Sequence, residues 1–304
     1  MNLEQQLFGV TFKNPVLLAS GTCGYGEEMQ GFFDINELGG VVLKAVTSEA
    51  REGNPAPRVI EYDAGMLNSV GLANAGLAEV KRSKLPWLAR HAAGTHVLVN
   101  VAGKSVEEFA QIITALDDAD GFLGYELNVS CPNVKEGGTY FSSRADLLAE
   151  AVRAARRSTR RPLLVKLAPN VSDIGALAEV AVAEGADGLT LINTFPGLLF
   201  DLKTRRARLG AGTGGVSGPA ILPMGVHAVY QARRRVQVPL VGVGGIRTAE
   251  DALQYLLAGA SLIQVGTASF ADPRAAYRVL SNLKTGRAGG AAHISELIGS
   301  GRVT

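Results

Sequence analysis

Short apolar runs recur along this chain, and between them the apolar residues take helical spacing. Eight runs read as strands: Val16–Ala19, Val41–Ala45, Val97–Val101, Tyr125–Val129, Leu163–Leu167, Gly188–Ile192, Leu240–Val243 and Leu262–Val265. Nearly unbroken apolar runs belong to strands buried on both faces, as in a parallel sheet. The intervening pattern predicts helices over Val106–Leu116, Ala145–Arg156, Ile174–Ala183, Met224–Arg234, Ala249–Leu257 and Arg274–Leu283. Ser172-Asp173 and Thr248-Ala249-Glu250-Asp251 supply capping groups and first-turn carboxylates for two of these. Eight βα repeats predict an α/β chain folded as a single (β/α)8 TIM barrel over residues 1–304. A doubly wound open sheet is the alternative, but no G-x-G-x-x-G follows the first strand. Residues 1–14 precede that strand and are expected at the barrel base. Connections 46–73, 130–144 and 194–219 are too long for plain turns and are expected to build a site or lid.

Polar residues recur where these strands should reach the carboxyl-terminal mouth. Ser20-Gly21 follow the first strand, Lys44 lies in the second and Asn100 in the third. Asn128 and Cys131 end the fourth, Lys166 lies in the fifth, and Asn193-Thr194 close the sixth. Barrel interiors are otherwise filled by branched apolar side chains, so lysines and asparagines gathered at one mouth indicate a ligand rather than packing. Gly244-Gly245 and Gly266-Thr267 leave the last two strands, and their backbone N–H groups predict a phosphate-bearing ligand. In Glu126-Leu127-Asn128-Val129-Ser130-Cys131-Pro132-Asn133, proline stops the strand and leaves a thiol between amides. That arrangement suits removal of one proton from a flat polar substrate; a buried structural cysteine is the alternative.

Composition narrows the function classes. A net charge of +2 on 304 residues argues against a general nucleic-acid binder. The basic runs 153–161 and Arg233-Arg234-Arg235 sit at expected helix ends, where cations favour the dipole. Two cysteines, Cys23 and Cys131, make no disulfide framework, and four scattered histidines show no metal-ligand spacing, so no metal is expected. The first residues lack a signal-peptide pattern and no apolar run approaches a membrane span, which predicts a cytoplasmic, reduced protein.

Three motifs resemble the class I dihydroorotate dehydrogenases: Asn128 to Asn133, Asn68-Ser69-Val70-Gly71-Leu72, and Gly242-Val243-Gly244-Gly245. The resemblance runs from Asn14-Pro15 to Gly266-Thr267-Ala268. Class II relatives carry serine in place of the cysteine and a membrane-associating extension, which sets this sequence apart from them. Pro132-Asn133-Val134-Lys135-Glu136-Gly137-Gly138, Gly53-Asn54-Pro55-Ala56-Pro57-Arg58 and Phe200-Asp201-Leu202-Lys203-Thr204-Arg205 are similar to the NAD-linked subtype B. That resemblance implies an FMN barrel, a homodimer, and a heterotetramer with a partner subunit carrying FAD and a [2Fe–2S] cluster. This chain has no cysteine set for such a cluster. Two positions depart from relatives: Cys23 stands where an aromatic residue is frequent, and Thr194 where the fumarate-linked subtype has serine.

The implied reaction is oxidation of dihydroorotate to orotate in pyrimidine biosynthesis, with Cys131 as base at C5 and hydride passing from C6 to the flavin. A free thiol has a pKa near 8.5, so turnover should rise with pH. By the same resemblance Asn68, Asn128, Asn133, Asn193 and Thr194 ring the pyrimidine. Backbone N–H groups around Val70, Gly71 and Leu72, with Lys44, receive its carboxylate, and Ser69 belongs to the same substrate-binding run. Lys166 faces the flavin, a buried lysine paired with a carboxylate being the alternative. Ser20, Gly21, Lys44, Ala45, Asn100, Asn128, Ile192, Gly218, Gly244, Gly245, Gly266 and Thr267 are the remaining implied flavin contacts. The loop after Cys131, hinged at Gly137-Gly138, is a candidate lid. Rival readings are the fumarate-linked subtype, another flavin barrel such as a dihydropyrimidine oxidoreductase or dihydrouridine reductase, a Schiff-base barrel built on Lys166, or an electron-relay subunit.

Overall fold

The computed structural model describes residues 1–130, 141–285 and 291–303, with the backbone of 132–133 and 139–140. Eight parallel strands close into a barrel in chain order. They are β1 (Val16–Leu18), β2 (Gly40–Val42), β3 (His96–Val101), β4 (Gly124–Asn128), β5 (Leu163–Leu167), β6 (Gly188–Leu191), β7 (Leu240–Val243) and β8 (Leu262–Val265). Ile263 of β8 pairs with Val16 of β1, which closes the cylinder and excludes the open sheet. Lys44 follows β2 instead of lying in it, because its N–H leaves the barrel ladder and donates to Gly24 O at 2.8 Å.

The main helices are α1 (Leu85–His91), α2 (Val106–Leu116), α3 (Ala145–Arg157), α4 (Ile174–Ala183), α5 (Leu222–Arg233), α6 (Ala249–Ala258) and α7 (Ala275–Thr285). Helix α2 starts where Ser105 Oγ accepts from Glu108 N, and it buries Phe109, Ile112, Ile113 and Leu116 at helical spacing. Helix α6 opens with a capping box between Thr248 and Asp251 and stops at Gly259, whose φ of 117° is open to glycine. Outward-facing Val99, Leu127, Val165 and Leu189 share one core with Ile112, Val152, Ala178 and Val229 of the helices.

Inside the barrel the lower half is apolar: Leu17, Val42, Leu98, Leu164, Val241 and Leu262 cluster with Phe12. Phe12 belongs to an antiparallel hairpin, Gln5–Leu7 with Val10–Phe12, whose Leu7, Phe8 and Val10 pack against that cluster. The hairpin turns at Phe8-Gly9, both at positive φ, as a two-residue turn with the twist of its strands requires. Each such side chain taken out of water stabilises the fold by about 1.5–3 kcal/mol.

The connections 46–73 and 194–219 join in structure that strand periodicity did not foresee. Val59–Tyr62, Gly65–Asn68, Gly214–Ser217 and Phe195–Gly197 form a four-stranded antiparallel sheet. Ile60 and Leu67 of this sheet form a buried apolar cluster with Leu209, and Leu199 and Val216 pack against it. Among the described residues no helix is long and apolar enough to cross a membrane.

Candidate active site

One pleat above the apolar floor, the same strands turn polar side chains inward. Glu126 of β4 has no exposed surface, yet its carboxylate accepts three hydrogen bonds. Asn100 Nδ2 donates to Oε1 at 2.8 Å, while Thr190 Oγ1 and Gln264 Nε2 donate to Oε2 at 2.9 and 2.8 Å. Lys166 Nζ lies 3.7 Å from Oε1 and is itself buried. Burying a lone carboxylate is very costly, and here one cation and three neutral donors compensate it. Lys166 therefore has the carboxylate partner that a buried lysine needs. Glu126, Thr190 and Gln264 were not singled out in the sequence. The signal was present: each is a polar residue at an inward position of an otherwise apolar run.

At the mouth the predicted amides come together in one line. Asn193 Nδ2 donates to Asn128 Oδ1 at 3.3 Å, and that oxygen also accepts from Ser130 N at 3.3 Å. Asn193 Oδ1 accepts from Thr194 N at 2.9 Å. Asn68 Nδ2 donates to Gly215 O at 3.1 Å. Gly215 also lies against Thr194, since a Cβ placed there would come within 2.1 Å of Thr194 Oγ1. The four-stranded sheet thus sets Asn68 beside the end of β6, although the two are far apart in sequence. From Asn68 the chain runs through Ser69, Val70 and Gly71 to Leu72, which packs on Ala45 and Ala102 beyond β2 and β3. Asn54 holds this run, donating Nδ2 to Ser69 Oγ at 2.7 Å and its backbone N–H to Val70 O at 3.1 Å. Gly71, at φ 74°, passes so close to Asn54 that a Cβ would meet it at 2.5 Å. Lys44 is half-buried next to Ala45 and has no ion pair among the described residues.

The glycines predicted to receive a phosphate sit at the exits of the paired strands β7 and β8. Gly244 and Gly245 adopt φ of 126° and 74°, so no other residue fits there without strain. Tyr255 OH donates to Gly244 O at 2.7 Å and fixes the first of these turns. A Cβ on Gly266 would meet Ala19 at 3.3 Å, ahead of half-buried Thr267. Gly218 packs against Gly65 where two loops cross. Ser20 and Gly21 lie on the rim after β1, and Ile192 is buried after β6, its N–H on Val243 O.

The residues fit a flavin mononucleotide on two observations. Gly244, Gly245 and Gly266 at the exits of β7 and β8 present no side chain against a phosphate. Asn100 Oδ1 and Gln264 Oε1 are buried acceptors with no donor among the described residues. Cys131, the Asn133 side chain and the Gly137-Gly138 hinge lie outside the described residues. Cys23 does not: it is buried with Sγ 3.5 Å from Val42 O, and burial, then the nearby Glu28 carboxylate, push its thiol up to about 12. Such a thiol is inert, which fits a packing role.

The model of the dihydroorotate dehydrogenase family matches residues 2–286. A Solibacter usitatus protein named as a dihydroorotate dehydrogenase A of the fumarate type is 52% identical over 281 residues, covering 92% of each chain. The catalytic subunit of dihydroorotate dehydrogenase B (NAD(+)) from Thermodesulfovibrio yellowstonii is 45% identical over 93% of this chain and 92% of that one. The corresponding subunit from Geobacillus kaustophilus is 44% identical over 98% and 95%. The crystal structure of DHODH in complex with ferulenol from Eimeria tenella matches with a TM-score of 0.82 and 25% identity, covering 98% of this chain and 88% of that one.

Proposed function

The chain belongs to the dihydroorotate dehydrogenase family and is an oxidoreductase acting on dihydroorotate; on that premise we propose how its residues divide the work. The observation that carries the reading is the line of amides from Asn68 through Gly215 and Thr194 to Asn193 and Asn128. Alternating amide donors and acceptors match the ring edge of a dihydropyrimidine and hold it flat across the mouth. The N–H groups of Val70, Gly71 and Leu72, with the half-buried cation of Lys44, receive the substrate carboxylate, while Ser69 N donates to Arg58 O at 2.8 Å and holds the run in place. Asn133 joins these amides as a further ligand of the ring. Cys131 takes the C5 proton as general base, and Asn128 and Asn193 hold C5 in reach of it.

The family is FMN-dependent. Gly244, Gly245, Gly266 and Thr267 cradle the phosphate, while Asn100, Asn128 and Lys166 meet the ring. Ser20, Gly21, Lys44, Ala45, Ile192 and Gly218 complete the seat. When bound, FMN supplies the acceptor for the hydride from C6. Lys166 places a positive charge where negative charge gathers on reduction. A single domain spans the chain, with residues 1–14 closing its base. A homodimer, extended to a heterotetramer by a subunit carrying FAD and [2Fe–2S], passes the electrons to NAD. Support for that acceptor comes from the NAD-linked relatives over nearly the full chain. The 52% identical fumarate-type relative favours fumarate as the second reading. A cytoplasmic location belongs to the same proposal, since the mechanism needs Cys131 as a free thiol.

The test is anaerobic mixing with dihydroorotate while the flavin bleaches. Cys131→Ala should keep FMN and substrate binding and slow bleaching by about 10²–10⁴-fold. An unchanged rate removes Cys131 from the reaction. NAD or fumarate added afterwards, with and without the partner subunit, separates the two acceptors.

A further inference from the structure

Glu126 is fully buried, and the reaction above gives it no part. A carboxylate only accepts hydrogen bonds, so each amide beside it must turn its NH2 group inward and its oxygen away. Asn100 and Gln264 both do so, at 2.8 Å. Their remaining oxygens, Asn100 Oδ1 and Gln264 Oε1, are left buried without a donor. A buried acceptor without a donor asks for an explanation, and a group bound in this layer would supply the donor. The pyrimidine edge of a flavin carries an N–H group of the right kind. The charge of Glu126 has a second consequence, because it stands 3.7 Å from the Lys166 ammonium. Buried charges are weakly screened, so anything bound in this layer experiences both.

We propose that Glu126 is a positioning residue that sets the seat and the reduction potential of FMN. It fixes the orientation of Asn100 and Gln264, holds Lys166, and offsets the positive charge of that lysine. This inference rests on the flavin reading above. Reduction adds negative charge to the ring, so a nearby carboxylate lowers the potential and a nearby ammonium raises it. A dehydrogenase must release the electrons it takes, and an unopposed Lys166 would retain them. Glu126 keeps the flavin reducing enough to pass them on.

The test is Glu126→Gln, which keeps the shape and removes the charge. Redox titration of the FMN-loaded protein against a reference dye should show the potential raised by at least about tenfold in the two-electron equilibrium, roughly 30 mV. Glu126→Asp keeps the charge but draws it back by one methylene, and should move the potential upward by less. A carboxylate that merely fills space would lower the unfolding midpoint of the FMN-free protein and leave the potential of bound FMN unchanged. That result in Glu126→Gln overturns the proposal. Should Glu126→Gln not fold, Glu126→Asp decides by the same titration, and a wild-type potential there overturns it equally. The titration uses a chemical reductant, so it reads Glu126 separately from the substrate assignment.

Discussion

The two halves of the barrel interior lie on the same strands and differ by one step of the pleat. Leu98, Leu164 and Leu262 line the floor with Leu17, Val42 and Val241. Two residues further along, the same faces carry Asn100, Lys166 and Gln264, joined through Glu126. Side chains alternate with period two, so moving one inward position up β3, β5 and β8 exchanges an apolar layer for a polar one. The floor is closed from below by Phe8 and Phe12, and nothing in it asks for a partner. The layer above is satisfied only in part, with the amide oxygens of Asn100 and Gln264 left over. The lower half is closed apolar packing, and binding groups begin where hydrogen bonding becomes incomplete.

Three substitutions would break or sharpen this division. Lys166→Met should have the largest effect, because it strands the Glu126 carboxylate with neutral donors alone. Breaking a buried ion pair costs about 3–5 kcal/mol, read as a lower urea midpoint in the FMN-free protein. A loss below about 1 kcal/mol would mean that charge balance does not organise the upper layer. Gly188→Ala probes the floor: its Cβ would sit 2.9 Å from Phe8 Cζ, so the hairpin must shift. Overpacking there should cost about 1–3 kcal/mol, with the KM for dihydroorotate unchanged. A raised KM would show that floor and mouth are mechanically coupled.

Cys23 gives the smallest effect and tests the boundary through pH. Its thiol is pushed up from 9.0 to about 12 in the folded protein. Between about pH 9 and about pH 12 the unfolded chain releases a proton that the folded chain retains. The contribution of Cys23 to stability is therefore full below the unfolded value and falls as pH rises towards the folded one. The slope cannot exceed about 1.4 kcal/mol per pH unit. Comparing urea midpoints of wild type and Cys23→Ala at about pH 8 and about pH 10 measures it. An equal pH response in the two proteins would mean that the Cys23 thiol is not held protonated.

Much of the site was legible because it broke a pattern. Lys44, Asn100 and Lys166 stood out as polar residues in apolar runs, and Gly244-Gly245 as a strand exit. Glu126 was in plain view at the head of the motif that contains Cys131. A strand's end marks the mouth, and nothing of that kind in the sequence marks the layer beneath it. The four-stranded sheet was half legible: Val59–Tyr62 and Gly65–Asn68 flank a two-residue turn, which is a local hairpin signal. Its pairing with Gly214–Ser217 joins segments about 150 residues apart, and no local pattern carries that.

The sequence by itself determined the strands, the order of βα units, and which strand faces are polar, because hydrophobic periodicity is a property of neighbouring residues. Tertiary structure alone decided which polar groups meet. Glu126 and Gln264 are 138 positions apart and bond only because the sheet closes on itself. Hydrogen bonding depends on distance through the barrel, and that distance exists only once the cylinder is shut.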